Sequence, residues 1–391
     1  MKPRFLFLAA AILSASMYPI AGHADVRKLR DVVVYRDAAF HAAFPSIVRR
    51  PDGELIVAFR RAPDWRLFGA KEYSHTDADS QLMIVRSHDD GATWSAKPEL
   101  LFAHPYGGSQ DPCMLQLRDG TLLCASYGWV QVREDVLEKL PKPVVLHEGG
   151  QGRFALFGGY LLRSTDAGHT WDGPFVPPVP PPEQFYNSFG QKVPALNRGA
   201  MYEGKDGRIF WAVAVGSRVQ PKQVSLHLMI SNDHGRTWTY SCPIASDEHA
   251  FFSETSVYET PKGDIVTFMR TENFGDEACI ARSTDGGKTF GHWQGMGFRG
   301  HPLQAVRLPD QRVLLVYGYR HAPYGIRARV LNAECTDFAT AKEIALREDG
   351  GGVDLGYPWA VVLGRDRALV VYYFNEADGT RYIGGTVLGL D

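Results

Sequence analysis

The chain has 391 residues, too many for one ordinary core, so two domains or an array of repeats is expected. A hydrophobic content of 45% excludes a disordered chain, and a formal net charge of −2 gives no electrostatic drive toward nucleic acid or an anionic membrane. Aromatics at 12% and 40 glycines suit a strand-and-turn protein with ring faces to offer a sugar.

In chain order, the first feature is a secretory signal over residues 1–24. Lys2 and Arg4 precede the apolar run from Phe5 to Ala15, and Gly22-His23-Ala24 places small residues at the usual cleavage offsets. Pro19 and Gly22 interrupt the run before it reaches the roughly 20 residues of a membrane anchor. The mature chain should start near Asp25, periplasmic or secreted and not membrane-bound after cleavage. Cys113, Cys124, Cys242, Cys279 and Cys335 lie far apart without ligand spacing. They read as buried small hydrophobes, with no metal and no cofactor expected and at most one disulfide.

Six units of apolar strand, tight turn and apolar strand follow. They run from Phe44 to Phe59 around Pro51-Asp52-Gly53, from Pro112 to Ser126 around Asp119-Gly120, and from Ala200 to Ala214 around Asp206-Gly207. The others run from Glu254 to Phe268 around Lys262-Gly263-Asp264, from Pro302 to Tyr317 around Pro309-Asp310, and from Pro358 to Tyr372 around Arg365-Asp366. Asp-Gly between β-rich runs marks a hairpin, because glycine accepts the positive φ of a tight turn. Turn-to-turn spacings of roughly 45 to 90 residues suit one four-stranded blade per unit.

Four units are followed by the signature Ser-x-Asp-x-Gly-x-Thr-(Trp/Phe), at Ser87 to Trp94, Ser164 to Trp171, Ser231 to Trp238 and Ser283 to Phe290. Its Asp is expected to cap backbone amides, its Gly to take a left-handed corner, and its ring to pack inward, which makes it structural. Two insertions interrupt the series: a short helix from Arg133 to Leu140 and an extended proline-rich loop from Pro177 to Glu183. The whole reads as all-β, a single six-bladed β-propeller over 25–391.

These loops and blades resemble the sialidase (neuraminidase) superfamily with its Asp-box (BNR) repeats, over nearly all of the mature chain. That resemblance implies an exo-glycosidase that removes a terminal acidic sugar with a Tyr nucleophile, a Glu partner, an Asp acid/base and arginines on the sugar's carboxylate. Glu254-Thr-Ser-Val-Tyr-Glu259 followed by Thr267-Phe-Met-Arg270 is similar to the family's Glu and Arg segment, implying Glu254 as partner and Arg270 as a clamp. The stretch from Tyr319 to Arg327 looks like the one bearing another clamp, placed on Arg327; Gly356-Tyr357-Pro358-Trp359 implies Tyr357 as nucleophile. Asp77 matches the acid/base, with Asp79 its competitor, and Asp354 reads as a positioning residue.

One position departs from the pattern. The family opens its first unit with Arg-Ile-Pro, and here Ala43-Phe44-Pro45 stands instead, leaving Arg60 and His41 as the nearest substitutes. The departure keeps two other readings open. One is a polysaccharide lyase on uronate-containing glycans, with His41 or His75 as base and Tyr357 as acid; the other is a non-catalytic glycan-binding propeller. His301 also lies beside a unit start. A glycan is the expected partner in every case, and the number of subunits is left open.

Overall fold

The computed structural model describes residues 25–70, 75–149, 152–196, 199–217 and 223–390, so the signal segment expected over 1–24 lies outside the described residues. Every expected hairpin is present, each opening one antiparallel sheet. Blade 1 consists of Phe40–Arg49, Leu55–Pro63, Gln81–Ser87 and Glu99–Phe102. Blade 2 consists of Cys113–Gln116, Leu122–Val132, Gly152–Ser164 and Asp172–Phe175, with short strands Gly108–Ser109 and Leu146–Gly149 attached. Blade 3 holds Tyr202–Glu203, Ile209–Ser217, Gln223–Ser231 and Thr239–Ala245; blade 4 holds Phe251–Glu259, Ile265–Glu272, Glu277–Ser283 and Gln294–Arg299. Blade 5 holds Leu303–Arg307, Val313–Tyr319, Gly325–Leu331 and Glu343–Arg347.

Blade 6 closes the ring. Its strands Gly356–Val362, Arg367–Asn375 and Arg381–Leu390 take the N-terminal strand Val26–Tyr35 as their fourth, antiparallel to Arg381–Leu390. Both ends of the described chain therefore share one sheet.

The reason these runs are apolar on consecutive residues is that both faces of each blade are covered. Leu55, Val57 and Phe59 pack toward blade 6, while Ile56 and Ala58 pack toward blade 2. Blade 4 repeats this, with Ile265 and Met269 toward blade 3 and Val266 and Phe268 toward blade 5. The other interfaces join blades 2 with 3 and 5 with 6, so six shared cores run around the axis. The structure is a six-bladed β-propeller.

The Asp signatures sit between third and fourth strands of blades 1 to 4. In each, the Asp (89, 166, 233 or 285) accepts from the Ser hydroxyl two residues before it, at 2.7–2.9 Å. It also accepts from the backbone amide and hydroxyl of the signature Thr, as Asp233 does from Thr237 at 2.8 and 2.6 Å. Trp171 and Trp238 donate their indole N–H to the glycine carbonyl of their own loop at 3.1 and 3.2 Å. The fifth hairpin turns without glycine because Gln311 itself takes the left-handed conformation, at φ 74°.

The first insertion forms the 3₁₀ turn Glu134–Lys139. A second 3₁₀ turn, Trp65–Phe68, carries no periodic signal and was not legible in the sequence. Among the described residues no helix is long and apolar enough to cross a membrane. All five cysteines are buried free thiols.

Candidate active site

Three of the side chains at the site come from the start of the innermost strand in blades 1, 4 and 6. Register shifts between Ala43 and Ser46, Phe252 and Thr255, and Gly356 and Trp359 mark bulges, which re-aim a side chain out of the sheet pattern. The re-aimed residues are Phe44, Glu254 and Tyr357. Phe44 and Tyr357 hold left-handed φ values of 55° and 51°. A bulky residue there costs on the order of 1–3 kcal/mol, which the surrounding packing must hold in place. Their rings touch, with centroids 4.7 Å apart, joining blades 1 and 6 at the axis.

Tyr357 donates its hydroxyl to Glu254 Oε1 in a very short hydrogen bond, and Arg270 Nη1 donates to Glu254 Oε2 at 2.6 Å. Glu254 has no exposed surface. Burial works against the charge of Arg270, but Glu254 and Tyr357 outweigh it and hold the guanidinium above its ordinary pKa. Glu272 adds a weaker contact to Arg270 at 3.7 Å. The spacing of Glu254 and Arg270 in the sequence thus becomes one ion pair inside one hairpin.

The structure does not bring Arg327 into this group. Arg327 lies on the third strand of blade 5, donating to the carbonyls of Arg347 at 2.6 Å and Pro323 at 3.3 Å and pairing with Glu343 and Glu348. The arginine that reaches Tyr357 is Arg320, which directly follows the second strand of blade 5, Val313–Tyr319. Its guanidinium lies 5.5 Å from the Tyr357 ring centre and donates to Leu355 O and the Tyr373 hydroxyl, both at 2.9 Å. Burial disfavours its charge, and the neighbouring phenols Tyr373 and Tyr357 more than compensate.

Arg60 is fully buried and is the register partner of Ala43, directly across the first hairpin. Its Nη1 meets His41 Nδ1 at 3.3 Å and its guanidinium lies 6.0 Å from the Phe44 ring centre. His41 Nε2 in turn faces Asp354 Oδ2 at 3.5 Å. Asp354 also accepts from Tyr373 at 2.8 Å and Arg381 at 3.0 Å. Burial would push the Asp354 carboxyl up, but the hydrogen bond with His41 and the charge of Arg320 hold it below the ordinary range. Arg60 and Arg270 stand the same number of residues past their hairpin turns, in opposite blades of the ring.

Asp77 is buried and Asp79 is exposed, which separates the two competitors. Asp77 Oδ1 accepts from the Asp79 amide at 2.7 Å and Oδ2 from the Trp65 indole at 2.6 Å. Burial raises its pKa, with Arg60 and the Asp79 amide opposing. Its loop is pressed onto blade 2 so closely that a Cβ on Gly108 would lie 1.6 Å from the Asp77 carbonyl oxygen. Glycine is required there for close approach rather than for its dihedral freedom.

Sequence reasoning missed Arg320, Trp65, Tyr373 and Asp111. Asp111, buried at the start of blade 2, accepts from the Tyr127 hydroxyl at 3.4 Å and helps to charge-balance Arg60. It stands as far before its turn as Phe44, Glu254 and Tyr357 stand before theirs, a count that marks it in the sequence. Beside this group, blades 2 to 4 and the insertions enclose a cavity of about 340 Å³, lined by Trp129, His147, Phe185 and Phe251, with Ser253 and Glu272 on the side of Arg270.

Buried histidines surround the site. Burial pushes His75 down to about 3 and His301 to about 2, and lowers His41. Elsewhere it takes His104 and His227 to about 4. His75, His301, His104 and His227 stay neutral in the fold at about pH 5 and above, while the unfolded chain takes protons below about pH 6.5. Their stabilisation is thus present above pH 6.5 and lost as pH falls toward the folded values, at up to about 1.4 kcal/mol per pH unit for each ring. The raised carboxyls of Asp77 and Glu183 act in the opposite direction. The unfolding free energy from denaturant melts should be at least about 4 kcal/mol lower at pH 5 than at pH 7. A value unchanged or higher at pH 5 would contradict this burial.

Comparison with known proteins agrees with this architecture. Residues 144–366 match the BNR repeat-like domain family. A protein of unknown function from Dyadobacter fermentans is 59% identical, with a TM-score of 0.91 over 94% of this chain and 99% of that one. A Hadza microbial sialidase aligns at 18% identity and TM-score 0.60, over 89% of this chain and 65% of that one. The NanB sialidase of Streptococcus pneumoniae aligns at 14% identity and TM-score 0.61, over 92% of this chain and 70% of that one. No protein of curated function matches the sequence. The chain belongs to the BNR repeat-like domain family, and its propeller fold is similar to that of sialidases.

Proposed function

We propose that the chain is an exported exo-glycosidase that hydrolyses a terminal acidic sugar, sialic acid or one like it, from glycans. The observation that carries this reading is the hydrogen bond from Tyr357 to the buried Glu254, itself held by Arg270. A neutral phenol can approach an anomeric carbon beside a carboxylate without the repulsion an anionic nucleophile would meet.

In the first step Glu254 takes the phenol proton and the Tyr357 oxygen bonds to the anomeric carbon. The bond to the leaving oxygen breaks, and Asp77 gives that oxygen its proton. In the second step Asp77 takes a proton from water, whose oxygen bonds to the anomeric carbon. Tyr357 departs and recovers its proton from Glu254, so configuration is retained.

Arg270 and Arg320 would hold the sugar's carboxylate, since a guanidinium fork matches it with two parallel hydrogen bonds. Arg60, opposite Ala43, supplies positive charge where the family's first-unit arginine is missing, with His41 and Asp354 fixing its place. The cavity toward blades 2 to 4 would take the far end of the sugar ring and its substituents.

The test is a screen of sialosides and uronate-ended glycans, read by both reducing sugar and ultraviolet absorbance. Release of a saturated sugar supports the hydrolase. An unsaturated, ultraviolet-absorbing product would replace it with the lyase, and binding without release would replace it with a glycan-binding propeller.

A further inference from the structure

Asp77 cannot protonate a leaving group unless its carboxyl is aimed, and residues 75–80 around it form no helix or strand. Its Oδ2 is met by the Trp65 indole N–H at 2.6 Å, from a different segment of blade 1. Trp65 opens the 3₁₀ turn Trp65–Phe68, which is fastened at both ends. The Asp64 amide donates to Ala39 O at 3.0 Å, and the Asp64 carboxylate caps the turn through the Arg66 amide at 3.1 Å. The Arg66 guanidinium grips Asp64 at 2.5–3.1 Å and reaches across to Asp378 O in blade 6 at 3.3 Å. The indole is therefore a donor on a braced support, spanning the junction of blades 1 and 6.

We propose that Trp65 is the positioning residue of the acid Asp77, and that the turn it opens forms the leaving-group side of the site. The proposal rests on Asp77 being the acid of the reaction above. Asp77 gives its proton to the oxygen that leaves, so that oxygen and the group beyond it come within hydrogen-bond reach of the carboxyl. What adjoins the carboxyl there is the Trp65 ring, with the Phe68 ring tilted against it at 5.7 Å between centres. Leu67 and Phe68 are 62% and 75% exposed, an apolar face next to an acid.

Burial raises the Asp77 pKa, and a neutral N–H donor to a carboxylate favours the ionised form, so the indole at 2.6 Å is expected to oppose that rise. The other charged groups acting on Asp77 are Arg60, which also lowers it, and Asp79, which raises it. Losing the donor should move the Asp77 pKa upward. The basic limb of the kcat/KM profile, where Asp77 must be protonated, then moves to higher pH.

The experiment compares wild type, Trp65→Phe, Trp65→Gln and Asp77→Asn on a substrate with a sugar leaving group and on one with a nitrophenol leaving group. Thermal melts accompany the kinetics. Trp65→Phe should lose about tenfold in kcat/KM on the sugar leaving group and little on the nitrophenol, which needs no acid. Its basic limb should rise by about half a pH unit or more. Trp65→Gln, which restores an N–H donor, should bring the limb back toward wild type.

Equal losses on both substrates with an unmoved profile would overturn the proposal, leaving Trp65 a packing residue. If Asp77→Asn is inactive on the sugar leaving group while Trp65→Phe matches wild type, the positioning role falls and the acid assignment stands. If Asp77→Asn keeps full activity on that substrate, both fall.

Discussion

Tyr357→Phe should lower kcat on a natural acidic glycoside by at least about a thousandfold, with KM changed by no more than a few-fold. The ring would still pack on Phe44 and under Arg320, since only the hydroxyl is lost. Binding is thus preserved and chemistry is not. Glu254 loses a partner in this variant and is left in a buried site beside Arg270. Thermal melts therefore belong beside the kinetics, to separate any change in folding from the loss of chemistry. A variant with more than a tenth of wild-type kcat would leave no role for a phenolic nucleophile.

Arg320 and Arg327 lie in one hairpin, and the second large effect separates them. Arg320→Ala should raise KM by about ten- to a hundredfold, the worth of one charge-assisted hydrogen-bonding partner to a carboxylate. Arg320→Lys keeps the charge but loses the fork, and should retain part of that loss. Arg327→Ala should leave KM within about twofold and instead lower stability by about 1–3 kcal/mol. It removes donors to two backbone carbonyls and the pairing with Glu343 and Glu348. The reverse pattern, with KM responding to Arg327 and not to Arg320, would return the clamp to the third strand of blade 5.

The hairpins were legible because Gly53, Gly120, Gly207 and Gly263 each sit where a turn needs positive φ. The Asp signatures were legible because Ser, Asp and Thr bond one another within a single loop. The pair Glu254 and Arg270 was legible for a related reason, since one hairpin with one bulge fixes their separation. What failed was any assignment that depended on which side of a hairpin faces the axis. Arg320 and Arg327 are seven positions apart, and only the third dimension turns the first toward Tyr357 and the second toward Glu343.

Trp65 was hidden for a different reason. A turn of four residues leaves no periodicity, and its contact to Asp77 crosses a loop. The missing first-unit arginine was visible as an absence at Ala43, but its neighbour across the strands, Arg60, emerges only with the register. Asp111 could have been found by counting back from its turn as for Glu254.

The most direct test of the central claim is intact-mass and peptide mass spectrometry after treatment with a fluorinated acidic sugar that slows release of a glycosyl-enzyme. The account predicts one added sugar on the peptide containing Tyr357, and none on Tyr357→Phe. Turnover of substrate with no adduct on that tyrosine, or an adduct on Asp77 instead, would contradict it.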